Sequence, residues 1–441
     1  MRIYEYATMT AEERRVVLDR SNRDIFNREN IDGIRAIYED VRRDGDAALA
    51  RYLERFHDVS LSPEEIRVAP EEIAEARRIV PRTVQDAVAA SIDNVRRYNE
   101  RLLREGSWLE ELAPGMILGE KSSPIDRVGL YIPAGKGSFP SVMVYMGTPA
   151  VVAGVPGIAV VTPPVKSGDR AVDQAVLVVC DQLGIAEVYR ANGPSGIAAL
   201  ALGTGTIRRV RKVVGPGSPA VQAAKILAQL EGVEAPMLYG PSEGLVLADD
   251  AADPRLVAAD LLNEAEHGHD SAAILVTPSR ELVEAVGREV DIQLAALPAD
   301  RRAYAESATT KYGGAIITRD LDEAIAFTNE YAPEHMQVAT RDALFVAARI
   351  ENAGEILVGQ NAPIAAANFA VGIPTTLPTG GFAAVSSGIT AHSFRKRNSI
   401  AYLTREALAG IADTTLALAE FEGFPQHAAA IRIRGLGEHN A

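Results

Sequence analysis

The sequence predicts an α/β fold with two parallel-sheet units. From Arg127 onward, short β-branched runs alternate with helix-length segments, glycine-rich turns follow several of those runs, and the rhythm begins again beyond residue 240. The first set of expected strands is 128–132, 158–161, 187–189 and 212–214. The turns behind them are Pro133-Ala134-Gly135-Lys136-Gly137, Asn192-Gly193-Pro194-Ser195-Gly196 and Gly215-Pro216-Gly217-Ser218. Parallel sheets bind ligands at the carboxyl ends of their strands, where such turns lie. The second set is 244–247, 272–276, 315–318 and 355–358.

Ahead of the sheets, residues 31–56 and 70–103 place apolar side chains three and four apart among charged ones, which is the pattern of solvated amphipathic helices. Pro63-Glu64-Glu65 and Pro70-Glu71-Glu72 read as helix starts, with proline in the first turn and carboxylates at the positive end of the helix dipole.

Composition narrows the function. The 441 residues are 47% hydrophobic and 24% charged, and 45 Lys+Arg against 59 Asp+Glu leave a net charge of -14. That charge repels nucleic acid and anionic membranes. The single cysteine, Cys180, excludes an internal disulfide and any multi-cysteine metal centre. Glu5, Glu12, Glu13, Arg14 and Arg15 interrupt any secretory apolar core, so a cytoplasmic location is expected. The uncharged stretch 142–165 is broken by Gly147, Pro149, Gly154, Pro156, Gly157, Pro163 and Pro164, and reads as a buried helix then a buried strand.

Residues 356–394 contain no Asp, Glu, Lys or Arg. A segment so rich in Gly and Pro yet so uncharged is expected to be irregular backbone packed inside the protein or against a partner. Among the histidine-bearing motifs, Glu264 and His267 are three apart on a helical pattern and could share a metal ion, although the same spacing suits a solvated pair. Tyr331-Ala332-Pro333-Glu334-His335 sets a carboxylate and an imidazole in what reads as a loop, where they can act as acid and base. Glu438-His439, His57 and His269 read as solvated. No complete dinucleotide fingerprint or Walker motif occurs.

Taken together, Val128-Gly129-Leu130-Tyr131-Ile132-Pro133, Gly240-Pro241-Ser242-Glu243, Ala265-Glu266-His267-Gly268, Tyr331 to His335, Leu377-Pro378-Thr379, and Glu422 with His427 resemble the histidinol dehydrogenase family over 31–433. The resemblance implies an intertwined homodimer of two incomplete Rossmann-like domains with small helical terminal domains. The expected boundaries are an N-terminal arm at 1–22, a first domain from 23–130 and 241–390, a second, NAD-side domain at 131–240, and a C-terminal domain at 391–441 reaching the partner. It also implies one zinc per site, NAD as co-substrate, and oxidation of a small polar alcohol through the aldehyde to the carboxylate. His335 then takes the hydroxyl proton and Glu334 activates water for attack on the aldehyde.

The departures from the family bear on substrate. Family zinc ligands Gln, His, Asp and His correspond to Glu264, His267, Asn368 and His427, so amide and carboxylate have exchanged places and the charge of the set is kept. A substrate-contacting histidine of the family is Thr375, while Ser242 and Glu422 persist; on the cofactor side Tyr131 persists, and a Gln and an Asn become Ser195 and Ser218. Such changes imply a changed substrate, and one branch of the family oxidises sulfopropanediol. The alternatives are histidinol oxidation itself and a non-catalytic paralogue.

Overall fold

The computed structural model describes residues 1–20, 28–104, 106–134, 137–165, 168–236 and 240–436. The turn expected at 133–137 lies partly outside these residues, and Glu438 and His439 lie wholly outside them. The chain forms two compact units, Met1–Arg101 with Ile125–Phe394, and Leu102–Pro124 with Arg395–Ala441.

The first unit carries both parallel sheets of the expected α/β class. Among the described residues, one has four strands in the order Glu187–Arg190, Gly157–Thr162, Arg127–Tyr131, Lys212–Val214. The other has six, in the order Ile3–Glu5, Gly314–Ile317, Ala272–Thr277, Glu243–Ala248, His335–Ala339, Glu355–Val358. Their inner strands are buried on both faces, so all but His335–Ala339 read as continuous apolar runs rather than alternating ones.

Two helices, Arg28–Asp44 and Asp46–His57, replace the single periodic stretch expected at 31–56, because Gly45 turns left-handed (φ 56°) between them. Ile34, Ile37, Tyr38 and Val41 recur at helical spacing and join the core of the four-stranded sheet with Ala159, Val161, Ile197 and Leu200. Tyr38 anchors this contact by donating its hydroxyl to Ala224 O at 2.7 Å. These helices were grouped with 241–390 in the expected domain scheme; their apolar stripes instead cover the four-stranded sheet. The two Pro-Glu-Glu motifs start a short turn, Pro63–Ile66, and a helix, Pro70–Ile79, with Glu65 and Glu72 each accepting the backbone N–H three residues back. Pro81 then separates Pro70–Ile79 from Arg82–Leu102. Residues 142–165 contain the buried helix Pro140–Val152 and the strand Gly157–Thr162. Among the described residues no helix is long and apolar enough to cross a membrane.

Three expectations are corrected. The N-terminal arm contributes an edge strand, Ile3–Glu5, to the six-stranded sheet and buries Tyr4 and Val17 in its core; three residues are too few to show a period. His335 lies in a strand, not a loop. His335–Ala339 pairs with Glu243–Ala248 on one side and Glu355–Val358 on the other, and the polar His335 and Gln337 hide a central strand from an apolar pattern search. The second unit is not all helical: Arg395–Leu403, Met116–Pro124 and Trp108–Ala113 form an antiparallel sheet beside the helices Arg405–Phe421 and Pro425–Arg432. Its strand 395–403 is mostly exposed, so its sequence looks like a solvated segment.

The entry into His335–Ala339 is tightly constrained. The preceding helix ends at Ala332 in a left-handed conformation (φ 48°), Pro333 forces extended backbone, and Gly354 donates to Pro333 O at 2.9 Å. A Cβ on Gly354 would stand 2.5 Å from Glu334 O and 3.0 Å from Leu377 Cβ, neither of which can swing away. Gly354→Ala is therefore expected to cost about 1–3 kcal/mol of stability in urea unfolding; wild-type stability would show that the backbone around Glu334 yields freely.

Candidate active site

Glu243, His335 and Glu355 each open one of three neighbouring strands of the six-stranded sheet, and Glu334 directly precedes His335. The site is therefore built at the amino ends of these strands, not at the carboxyl ends. Backbone N–H groups there are free to hold carboxylates: Glu243 N donates to Glu334 Oε2 at 2.9 Å and Gly380 N to Glu243 Oε1 at 2.7 Å. His335 Nδ1 hydrogen-bonds Glu355 Oε1, while its Nε2 stands 3.7 Å from Glu334 Oε1 and 3.9 Å from Glu264 Oε2.

Glu264 reaches this cluster from the last turn of the helix Pro254–Ala265. It is 1% exposed, which removes the solvated reading, and it gathers two further side chains. His267 Nδ1 is 3.4 Å from Glu264 Oε2, and Asn368 Nδ2 donates to Glu264 Oε1 at 2.9 Å. Asn368 stands on an irregular turn, Ala367–Val371, within the uncharged segment. Tyr145 from the buried helix secures that turn by donating to Ala367 O at 2.8 Å and accepting from Gly372 N at 3.3 Å. The segment is anchored at further points too, with Thr379 Oγ1 accepting from Gly240 N and Asn99 Oδ1 accepting from Ala391 N, whereas Phe369, Val371 and Val385 are exposed.

Among the described residues no three His, Cys, Asp or Glu side chains form a metal cage. The donors here are one carboxylate, one imidazole and the amide oxygen left on Asn368 once its N–H is spent on Glu264. That is nitrogen and oxygen chemistry suited to a divalent ion of the zinc type.

Burial sets the charge states. It works against the charged imidazole of His335, but Glu264, Glu334 and Glu355 outweigh it and push the pKa up to about 10. Burial drives Glu334 well above the usual carboxylate range; His335 opposes this, and the charges of Glu264 and Glu243 reinforce it. Glu264 goes the other way, since His335, His267 and Asn368 overcome its burial and lower its pKa.

The remaining expected residues are more dispersed. Ser242 precedes Glu243 and is half-buried, its carbonyl accepting from Ala272 N; Thr375 is half-buried in the uncharged segment. Glu422 and His427 belong to the second unit, where both are exposed, with the His427 ring 5.1 Å from that of Phe424. On the four-stranded sheet, Tyr131 ends its strand, and a Cβ on Gly193 or Gly217 would come within 2.9 Å of its hydroxyl or 3.2 Å of its ring. Glycine at these carboxyl-end turns is therefore required by the close approach of Tyr131 and Val221. Ser218 is exposed at the start of the helix Pro219–Leu230, whereas Ser195 is fully buried and spends its hydroxyl on Asn192 O. His57, expected to be solvated, is half-buried with Nε2 3.4 Å from Asn192 Nδ2 in the same turn region.

The family model of histidinol dehydrogenase matches residues 20–435. The chain belongs to the histidinol dehydrogenase family. It is 43% identical over 411 residues to a histidinol dehydrogenase of Synechocystis sp., covering 92% of this chain and 94% of that protein. It is 41% identical over 435 residues to a histidinol dehydrogenase homolog of Colwellia psychrerythraea, covering 98% and 96%. The crystal structure of histidinol dehydrogenase from Elizabethkingia anophelis superposes with a TM-score of 0.92 at 32% identity, covering 98% of each chain. The family is one of oxidoreductases, and the fold agrees with it.

Three members of the buried cluster had no role in the sequence reading. Glu243 was visible only as the end of a motif. Glu355 and Arg20 carry no local signal, because strand register and tertiary packing bring them in. Arg20 adopts a left-handed backbone (φ 55°) that a non-glycine residue takes only under constraint. Its guanidinium is buried 3.6 Å over the Tyr331 ring, donates to Tyr331 O, and sits 3.4 Å from Glu243 Oε1. Removing one partner of a buried pair strands the other's charge. Arg20→Met is expected to cost about 3–5 kcal/mol in urea unfolding, with part recovered in the double variant Arg20→Met/Glu243→Gln. No recovery would mean that Arg20 acts by packing rather than by charge.

Proposed function

We propose that this oxidoreductase takes a small polar primary alcohol through the aldehyde to the carboxylate, with NAD as acceptor and one divalent cation, zinc, at each site. The observation that carries this reading is the pair Glu334 and His335, held together inside a buried cluster whose Glu264 also collects His267 and Asn368. Glu264, His267 and Asn368 would hold the metal with His427 of a second copy, and the glycine turns beside Tyr131 and Ser218 would seat the dinucleotide. When bound, the cation polarises the alcohol oxygen and NAD accepts the hydride.

The chain's own residues supply the proton chemistry. With Nδ1 engaged by Glu355, Nε2 is the nitrogen of the neutral His335 ring that takes the hydroxyl proton as hydride leaves carbon; a cation on Glu264 would offset the carboxylate that most favours the charged ring. Glu334, held by the N–H of Glu243, is placed to take a proton from the water that adds to the aldehyde. As the water adds, the aldehyde oxygen takes the proton held by His335, and the hydrate then gives up the second hydride of the overall reaction while His335 again takes a hydroxyl proton.

Histidinol itself is the leading substrate, in place of the changed substrate that the departures implied. A relative at 43% identity carries that name, and the charge of the pocket supports it. Glu243, Glu264, Glu334 and Glu355 are buried against one guanidinium, Arg20, and one imidazole, His335. Even with Glu334 protonated the cluster is negative, which suits a cationic amino alcohol better than an anionic sulfonate. The exchange of Glu264 and Asn368 and the presence of Thr375 favour a second reading, another small polar alcohol.

A homodimer is part of the same proposal. Phe421 (92% exposed), Ile433 (85%) and Phe424 surround the stretch that carries Glu422 and His427, an apolar surface of the kind a second copy covers. Sedimentation at micromolar concentration is expected to give a dimer, and a fully active monomer would contradict it.

Following NADH with histidinol, sulfopropanediol and related alcohols tests the chemistry. Histidinol should turn over at roughly 1–1,000 per second. His335→Ala should slow both oxidations by about 100- to 10,000-fold, whereas Glu334→Gln should mainly slow the second and let aldehyde accumulate. Equal loss of both steps in the glutamate variant would refute the division of labour.

A further inference from the structure

The proposed chemistry gives Glu355, like Glu243, no proton to move and no metal to hold, and unlike Glu243 it meets the His335 ring directly. Its position is closely determined. In the parallel register His335 lies directly beside Glu355, so their side chains leave the sheet on the same face, and both are buried. The carboxylate Oε1 meets His335 Nδ1, and the backbone N–H of Glu355 donates to Glu334 O at 3.1 Å. One residue thus grips the imidazole through its side chain and the neighbouring glutamate through its backbone. A carboxylate accepts hydrogen bonds and cannot donate them when ionised, so the ring nitrogen facing it must carry the hydrogen.

We infer that Glu355 is a positioning residue for the oxidation: by accepting the Nδ1–H of His335 it holds the ring with Nε2 turned toward Glu264 and Glu334, so that when the ring is neutral its lone pair lies on Nε2. This rests on the reading of His335 as the group that takes the hydroxyl proton. In each oxidation the O–H bond breaks and its proton passes to Nε2, while the C–H bond breaks and its electron pair leaves with the hydride to NAD. The imidazolium so formed keeps Nδ1–H on Glu355, whose negative charge stabilises it without receiving the proton. The arrangement follows the logic of the buried aspartate behind the histidine of a hydrolase triad, on an unrelated fold and for hydride transfer.

The test compares Glu355→Gln, Glu355→Leu and His335→Ala in the metal-loaded, full-length protein. Gln keeps an acceptor oxygen but loses the charge, so kcat for both oxidation steps should fall about 10- to 100-fold with KM for alcohol and NAD little changed. Leu removes both and should cost more. A deuterium isotope effect on the oxidised carbon should rise in both variants as hydride transfer becomes more limiting. Nitrogen-15 spectra of the His335 ring should show the Nδ1–H tautomer in the wild type and a mixture in Glu355→Leu. Full kcat in Glu355→Gln and Glu355→Leu, with His335→Ala inactive, would overturn this role alone. Full activity in His335→Ala would instead overturn the proton-acceptor reading beneath it.

Discussion

Ionised groups cannot be buried unless other charges or hydrogen bonds replace the water they lose, and this requirement governs the amino ends of three strands in the six-stranded sheet. Glu243, Glu264, Glu334 and Glu355 are all withdrawn from solvent around one imidazole and one guanidinium. The fold meets part of the requirement in three ways, while Glu243 Oε2, Glu355 Oε2 and Arg20 Nη1 stay buried without a hydrogen-bond partner among the described residues. Backbone N–H groups of Glu243 and Gly380 take two carboxylate oxygens, Arg20 is drawn into the interior against Glu243 and Tyr331, and His335 is surrounded so that its charged form is favoured. The four carboxylates outnumber the guanidinium and the imidazole, which is the electrostatic basis of the cation and cationic substrate proposed above.

Structure far from the cluster is organised by the same need. The segment 356–394, free of Asp, Glu, Lys and Arg, runs as irregular backbone that is partly buried, tied by Tyr145, Gly240 and Asn99 and delivering Asn368 to Glu264, while Phe369, Val371 and Val385 stay exposed. Gly354 has no side chain because Glu334 O and Leu377 occupy the space. The four-stranded sheet solves a different problem. It places its glycine turns at its carboxyl ends, packed against Tyr131, whereas the buried charged cluster lies at the amino ends of strands in the six-stranded sheet.

Much of this could be read from residue patterns. The β-branched runs and turn chemistry located both sheets, and the three-residue spacing of Glu264 and His267 anticipated side chains that meet at 3.4 Å. The rest was hidden for identifiable reasons. His335–Ala339 is a central strand that begins with a histidine behind a proline, so local chemistry argued for a loop. Ile3–Glu5 is too short for periodicity. Glu355 looked like the first residue of an ordinary strand, and only the register with His335 turns it into part of the site. Arg20 is 223 positions from Glu243 in sequence, and no local pattern joins them. Family resemblance supplied the roles of Glu334 and His335, but its emphasis on Asn368 and Thr375 led toward a changed substrate, whereas the buried charge favours a cationic one.

The dependence of the site on a cation is open to direct measurement. Zinc can be titrated into metal-free protein at equilibrium, with Glu264→Ala as the comparison, and bound metal counted per chain. One zinc per chain in the wild type, with affinity at least about tenfold lower in the variant, is the expected result. No bound zinc in the wild type, or unchanged affinity without the Glu264 carboxylate, would contradict it.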